Sequence, residues 1–214
     1  MSKLTLCLHA SARLPRIYLL RNGAVVANDP GVAAGDPRTD PSFAELTERL
    51  LQDIGASISD IDEIAVDIGP GRLSAVRAAV SFANALAFGL DRPLRPLVST
   101  HGAGFAAEQI TGLPAIVAHK AAAGAGYVGL VRAGVLERLR HGPMVETVEA
   151  FSAPFDVYAL VGAEAATFDL AGKDVRNGGD ATIAAETFLA LLPSLPAVQA
   201  PVHPITEQSE FVDD

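Results

Sequence analysis

The stretch that decides the fold reads Gly69-Pro70-Gly71-Arg72-Leu73-Ser74-Ala75-Val76-Arg77. It follows a short apolar run, residues 64–68, that predicts a buried strand. It opens residues 74–90, which predict a helix that is apolar over most of its surface. After Ser74 its only strongly polar side chains are Arg77, Ser81 and Asn84. Their steps of four and three place them in one stripe, and a helix that is apolar elsewhere is normally buried or lies at an interface.

This helix carries more apolar surface than its own sheet can cover. At about 100° per residue, Val76 and Val80 do not share a side with Phe82 and Phe88. Small residues along it would let a second helix approach closely. We therefore predict that the helix contacts a partner, and the alternative is a helix enclosed within its own domain. The residues predicted for partner contact are Val76, Arg77, Val80, Ala83, Asn84 and Ala87.

The loop before the helix is a second candidate site. A helix N-terminus offers backbone N–H groups and a partial positive charge, which together attract anions. The residues of this candidate anion-binding loop are Gly69, Gly71, Arg72 and Arg77. In the competing interpretation the glycines only permit a tight turn, and Arg77 pairs with a nearby carboxylate such as Asp67.

Composition excludes several classes of protein. The chain has 214 residues, half of them apolar, which favours a compact α/β protein over a disordered one. A net charge of −9 without clustered cations argues against direct binding of nucleic acid. The single cysteine, Cys7, has no partner for a disulfide. No stretch approaches the roughly 20 apolar residues of a membrane span, so we expect a cytoplasmic protein without membrane contact.

The first half of the chain predicts strands and helices in alternation. Residues 4–8, 16–20 and 24–27 read as strands, and Asn22-Gly23 predicts a hairpin turn. Ser42 and Glu45 form a capping box that begins a helix, which Gly55 ends. A strand near Leu97 follows the apolar helix, and Ser99 or Thr100 caps the next helix.

The opening pattern recurs in the second half. Strand, small-residue turn, strand and Arg-x-Gly-x-apolar occur in residues 7–25 and again in residues 118–136. This repetition predicts a duplication, with lobes at residues 1–102 and 103–214 and a cleft between them. The second lobe looks eroded, in that fewer of its strands and helices are recognisable in the sequence.

Three features of the second lobe remain recognisable in the sequence. They are a strand at residues 157–161, a turn at Asn177-Gly178-Gly179, and a helix capped by Asp180 and ended by Pro193.

These motifs resemble a known family. Duplicated lobes that open on hairpins are typical of the actin and sugar-kinase superfamily, with ribonuclease H-like lobes that each hold a mixed sheet and flanking helices. More closely, the chain resembles the TsaB (YeaZ) family, which is needed to make threonylcarbamoyladenosine in tRNA. The resemblance covers most of the chain. It depends on residues 69–77, on Ala83-Asn84-Ala85-Leu86-Ala87, on Val98-Ser99-Thr100 and on Pro201-Val202-His203.

The resemblance implies a noncatalytic subunit that pairs with a TsaD-like ligase and forms a homodimer when alone. The chain departs from the family where His9 and His119 replace the carboxylates of the two hairpins. Neutral imidazole is a poor ligand for Mg²⁺, so these changes weaken the alternative of an ATP- and Mg²⁺-dependent kinase or ATPase. A self-associating paralogue without a ligase partner is a further alternative. The five histidines lack the close spacing of a metal site, and we predict no metal and no cofactor.

Overall fold

The structure is a computed structural model that describes residues 3–12, 15–29, 42–162, 174–179, 182–199 and 201–209. The chain forms two compact units. The first comprises Met1–Val98 and Ala184–Pro204, and the second comprises Ser99–Ile183 and Ile205–Asp214. We expected the boundary after residue 102; the contacts place it after Val98 and return residues 184–204 to the first unit.

The first unit is built on a five-stranded sheet of order β3-β2-β1-β4-β5. The strands are β1 Leu4–His9, β2 Arg16–Arg21, β3 Ala24–Asp29, β4 Glu63–Asp67 and β5 Leu94–Leu97. The helices between them are α1 Phe43–Asp53 and α2 Leu73–Leu90. The first three strands pair antiparallel, whereas β4 and β5 run parallel to β1.

The second unit repeats this arrangement with the order β10-β9-β6-β7-β8. Its strands are β6 Ala115–Lys120, β7 Ala125–Arg132, β8 Val135–Pro143, β9 Val157–Val161 and β10 Asp174–Asn177. Its helices are α3 Ser99–Thr111 and α4 Met144–Ser152, while α5 Ala185–Leu191 belongs to the first unit.

The two sheets share local irregularities as well as strand order. Each hairpin turns through two residues with positive φ, Asn22-Gly23 at 51° and 79° and Ala133-Gly134 at 52° and 77°. Each hairpin also has a register shift close to its turn, at Leu19/Leu20 in one sheet and Leu130/Val131 in the other. The prediction of two duplicated α/β lobes is therefore confirmed.

The N-terminal cap of one helix agrees with the prediction from the sequence, and that of another helix does not. At α1 the Glu45 N–H donates to Ser42 Oγ at 3.2 Å, and the Ser42 N–H donates to the Glu45 carboxylate at 2.7 Å, which confirms the capping box. The prediction that Asp180 caps the last helix was wrong, because α5 begins at Ala185 with Ala184 at its N-cap. Asp180 itself lies outside the described residues.

Helix α2 is long and apolar enough to cross a membrane by length and composition, which we did not expect from the sequence. The contacts of α2 show a different use for its apolar residues. One side packs against β4 and β1, and its buried residues belong to the hydrophobic core of the first unit. A helix that packs on a sheet in this way can be as long and as apolar as a helix that spans a membrane.

Candidate functional site

The inner side of α2 is part of the core. Val76, Val80, Ala83 and Ala87 are at most 7% exposed and lie in one cluster with apolar residues of β1 and β4. Contact with a partner requires accessible side chains. The sheet of the first unit covers these four residues, and their contact with a partner stays a prediction.

The opposite side of α2 is exposed, and we call it the outer face. Its members are Ser74, Arg77, Ala78, Ser81, Ala85 and Phe88. Steps of three and four place them on one side of the helix. Phe88 is 90% exposed, the highest value among the exposed large apolar side chains of the described residues. The surplus of apolar surface expected from the sequence thus exists, but on this face.

The sequence did not show which side of α2 packs on the sheet. Both sides are apolar, so the pattern alone allows either orientation. The structure places both valines and four of the alanines against the strands, where small side chains permit close packing: Ala75, Val76, Ala79, Val80, Ala83 and Ala87. Phe82 is half-buried and stacks on Phe43 of α1, with ring centroids 6.3 Å apart.

Asn84 joins two motifs that the sequence showed only separately. Its side-chain Nδ2 donates to the Val202 carbonyl at 2.9 Å, and its Oδ1 accepts from the Val202 N–H at 2.9 Å. The two residues are 118 positions apart in the chain. Asn84 therefore holds the segment around Pro201-Val202-His203 against α2.

The loop between β4 and α2 is fitted closely to the turn that follows β1. Gly69 has φ of +90° and lies two residues after Asp67, whose carboxylate accepts from the Gly69 N–H at 2.8 Å. A Cβ on Gly71 would lie 2.3 Å from Ser11 Cβ and 2.5 Å from Ser11 Cα. The glycines thus permit a tight approach of backbone to backbone.

Asp67 is fully buried and holds this junction together. One carboxylate oxygen lies 2.7 Å from His9 Nδ1 and accepts from the N–H groups of Ala10 and Ser11 at 3.2 Å and 2.9 Å, and from the Ser11 hydroxyl. Burial alone would raise the pKa of Asp67, but the attraction of the His9 ring and the hydrogen bonds from Ser11 and Gly69 lower it below its ordinary value. Asp67 therefore stays ionised in the core.

Arg77 does not take part in this junction. Asp67 bonds to His9, Ser11 and the loop backbone, so the suggested pairing of Arg77 with Asp67 was wrong. Both Arg72 and Arg77 are exposed beside the first turn of α2. The anion-binding loop of Gly69, Gly71, Arg72 and Arg77 stays a prediction.

The histidines of the second unit have contacts of their own, away from Asp67. His119 is half-buried on β6 opposite Tyr127, and the His141 ring lies 4.6 Å from the Tyr127 ring. His101 Nε2 lies 2.8 Å from the Gly134 carbonyl oxygen, at the turn between β7 and β8. Among the described residues, no three or more His, Cys, Asp or Glu side chains are grouped so that they could hold a metal ion.

A comparison with known protein families shows to which family this chain belongs. The family model described as TsaD, tRNA N6-adenosine threonylcarbamoyltransferase, matches residues 41–171, more than half of the chain. The chain belongs to the TsaD family.

Members of the TsaD family with curated names match only in part. A tRNA N6-adenosine threonylcarbamoyltransferase from Neisseria meningitidis is 38% identical over 96 residues, 45% of this chain and 25% of the relative. The enzyme of the same name from Chromobacterium violaceum is 44% identical over 57 residues, 27% of this chain and 17% of the relative. The chain thus matches about a quarter or less of the length of these transferases.

Solved structures match nearly the whole chain. YeaZ from Pseudomonas aeruginosa has a TM-score of 0.69 at 18% identity, covering 95% of this chain and 99% of YeaZ. A second crystal structure, of an uncharacterized protein with similarity to peptidase YEAZ from Pseudomonas aeruginosa, has a TM-score of 0.74 at 19% identity, covering 96% and 100%. This TsaD-family chain has the fold of YeaZ, and the resemblance to the TsaB (YeaZ) family is confirmed at the level of the fold.

Proposed function

We propose that this TsaD-family chain is a noncatalytic, cytoplasmic subunit in the formation of threonylcarbamoyladenosine in tRNA. In this role it pairs with a TsaD-like ligase and does not itself hold the tRNA. The family match supports the pathway, and the fold of YeaZ along nearly the entire chain supports the role of a YeaZ-type subunit. The net charge of −9 is consistent with a protein that leaves RNA binding to its partner.

The state of His9 supports a role without catalysis. In the family that the sequence resembles, this position at the end of the first strand is a carboxylate, and carboxylate oxygens are the ligands that Mg²⁺ prefers. Here the ring of His9 is fully buried and engaged with Asp67. Neither His9 nor Asp67 is available to hold a nucleotide-bound metal ion.

The observation that carries the proposal is the outer face of α2. Phe88 exposes 90% of its surface in the isolated chain, and covering such a side chain contributes about 1.5–3 kcal/mol. Ala78, Ser81 and Ala85 precede it on the same face. Because these side chains are small, a helix of a partner can approach α2 closely and bring Phe88 into a pocket, as aromatic residues do at the centres of interfaces.

Copurification with the TsaD-like protein of the same organism tests this surface. Phe88→Asp places a charge on the most exposed large apolar side chain of the proposed contact and should weaken binding by roughly thirtyfold or more, as expected when an aromatic anchor of an interface is lost. Ile110→Asp is the matched control, since Ile110 is 80% exposed on α3 of the second unit. Equal binding by Phe88→Asp and the wild type would reject the outer face as the contact surface.

Self-association is the second candidate, and one feature of the outer face favours it. Phe88 lies seven residues after Ser81, and Ser74 lies seven residues before it, so two copies paired antiparallel about Ser81 would bring Phe88 onto the start of the other helix. Measurement of molecular mass with and without the ligase distinguishes the candidates. A homodimer that persists when the ligase is in excess would favour a self-associating paralogue.

A kinase or ATPase is the competing enzymatic function. It would require binding of Mg-ATP, which calorimetric titration measures directly. We expect no turnover. Micromolar affinity together with hydrolysis of ATP would overturn the noncatalytic role.

A further inference from the structure

The two faces of the first sheet differ in polarity. The face that α1 and α2 cover is apolar, and on β1 and β4 it consists of Leu4, Leu6, Leu8, Ile64 and Val66. The opposite face of the same strands consists of the alternate residues, which are Thr5, Cys7, His9, Glu63, Ala65 and Asp67. All of these side chains are buried, although such alternation is typical of a strand with one face in water.

Residues 184–195 lie over this polar face, and we call them the cover segment. They comprise α5 and the turn that follows it. The ring of Phe188 in α5 lies 6.4 Å from the ring of His9 on β1 and 5.9 Å from that of Tyr18 on β2. At the far end of the segment, two carbonyl oxygens accept hydrogen bonds from Arg95 of β5. The segment thus crosses the sheet from β2 to β5.

The cover segment depends on a few apolar side chains for its attachment. Helix α5 has only seven residues, and its N-cap residue is Ala184, whose side chain cannot accept a hydrogen bond. A helix of this length is not stable without tertiary contacts. The large apolar side chains that the segment buries are Phe188, Leu191, Leu192 and Leu195.

The second sheet provides an internal comparison. Its helix α3 has thirteen residues and packs on an apolar face, which includes Val117, Val131, Ala159 and Val161. Val117 stands where the repeated pattern of the first lobe has Cys7. Two sheets of the same strand order thus differ on equivalent faces, and the shorter helix lies on the polar one.

The carboxylates under the cover segment have their partners elsewhere. Asp67 is bound by His9, by Ser11 and by the backbone of the adjacent loops, while Glu63 is bound by residues 3, 5 and 95. Within the described part of the chain, none of these partners belongs to residues 184–195. Removal of the segment therefore keeps both charges paired, and water can replace the two carbonyl oxygens at Arg95.

We propose that the cover segment opens as one unit while α1, α2 and the sheet of the first unit stay folded. Opening exposes a face whose charges are already paired, and it separates few apolar contacts. Segments held in this way are the ones that open before the whole domain unfolds.

Cys7 is a natural reporter of this opening. It is the one cysteine of the chain, and it lies on the polar face opposite Tyr18, the neighbour of Phe188. Burial raises the pKa of the Cys7 thiol, so the closed form does not supply the reactive thiolate. Reaction of Cys7 with a thiol reagent therefore requires that the cover segment moves away.

The first test compares Cys7 with a cysteine on the apolar face of the same sheet. Val66→Cys in a Cys7→Ala background provides it, since Val66 is also fully buried. Both proteins are labelled with an aromatic disulfide reagent in urea below the unfolding transition. We expect Cys7 to react roughly tenfold faster or more, with a weaker dependence on urea, because opening exposes less surface than unfolding. Equal rates with equal dependence on urea would reject the cover segment as a separate unit.

The second test changes the attachment of the cover segment. Phe188→Ala should speed the labelling of Cys7 by roughly hundredfold or more. Phe188→Leu should speed it several-fold, and this milder variant decides the matter if Phe188→Ala does not fold. Ile64→Val is the matched control, because Ile64 belongs to the apolar core, which is intact in both the closed and the open form. It should leave the labelling of Cys7 unchanged and speed that of the cysteine at position 66.

Two results would overturn the proposal. One is a labelling rate of Cys7 that does not respond to either substitution of Phe188. The other is equal acceleration at both cysteine positions by Ile64→Val, because the polar face would then become accessible only when the whole unit unfolds.

Discussion

At the scale of single residues, one buried carboxylate organises the junction between β1 and β4. Asp67 accepts hydrogen bonds from the turn at Ala10 and Ser11 and from the N–H of Gly69, and it faces His9. A buried charge is costly unless it is paired and hydrogen-bonded, and these contacts supply the partners that the Asp67 carboxylate needs. The same contacts draw the loop before α2 onto Ser11.

This close approach predicts that Gly71→Ala destabilises the protein. The new Cβ would lie 2.5 Å from the Cα of Ser11 and 2.9 Å from its carbonyl oxygen, so backbone must move. We expect a loss of about 1–3 kcal/mol in the free energy of unfolding, measured by denaturation with urea. Gly89→Ala is the matched control, because its Cβ would meet nothing within 4 Å and alanine favours the helix by about 0.5–1 kcal/mol. Equal stability of the two variants would contradict the close contact.

At the scale of elements, the features that depend on residues close together in the chain were predicted better than those that depend on residues far apart. The hairpin turn at Asn22-Gly23 and the capping box at Ser42 depend on neighbouring residues, and both were correct. The bounds of α2 were correct within one residue at its start. Its orientation could not be predicted, because a helix that is apolar on two sides does not reveal which side meets the sheet.

The candidate site was harder to predict than the elements that carry it. Asn84 was placed among partner-binding residues for its position on α2, whereas its contact with Val202 spans 118 positions. The pairing of His9 with Asp67 spans 58 positions and depends on β1 and β4 lying side by side. One sequence does not show such contacts, because they arise only after the sheet has formed.

Strand β4 carries a second buried carboxylate, which links three strands. Glu63 accepts from the Thr5 hydroxyl on β1 at 2.9 Å and from Arg95 Nε on β5 at 2.7 Å, and it pairs with Lys3 at 2.7 Å. Burial alone would raise the pKa of Glu63, but the hydrogen bonds from Lys3, Arg95 and Thr5 lower it below its ordinary value. Arg95 in turn donates to the carbonyl oxygen of Leu192.

We therefore predict that the contribution of Glu63 to stability depends on pH. A lowered pKa in the folded state means that the carboxylate stabilises the fold above the ordinary glutamate pKa of about 4.3, and that this stability is lost as pH falls through the folded value. Glu63→Gln should lose about 2 kcal/mol at pH 7, measured by urea denaturation, and the difference from the wild type should shrink below about pH 4. A difference that stays constant from pH 7 to pH 3 would contradict the ionised network.

At the scale of the whole molecule, duplication explains the two sheets but not the path of the chain. Both sheets have the same strand order, and their hairpins share turn and register shift. The chain nevertheless leaves the first unit at Val98 and returns to it at Ala184. The sequence did not predict this return, since a seven-residue helix such as α5 carries no local signal for the sheet on which it packs.

The return of α5 predicts which unit responds when its core is damaged. Phe188 is fully buried, and its ring lies 6.4 Å from the ring of His9 and 5.9 Å from that of Tyr18, both in the first sheet. Phe188→Ala should cost about 3–5 kcal/mol and speed hydrogen exchange in β1 and β2 under native conditions.

The matched control lies in the second unit. Phe151 of α4 is equally buried, packs with the core of the second sheet and lies 4.2 Å from the Arg138 guanidinium carbon. Phe151→Ala should speed exchange in β6 and β7 and leave β1 and β2 protected, which is the reverse of the pattern for Phe188→Ala. If Phe188→Ala instead exposed β6 and β7 first, α5 would stabilise the second unit, and its assignment to the first unit would be wrong.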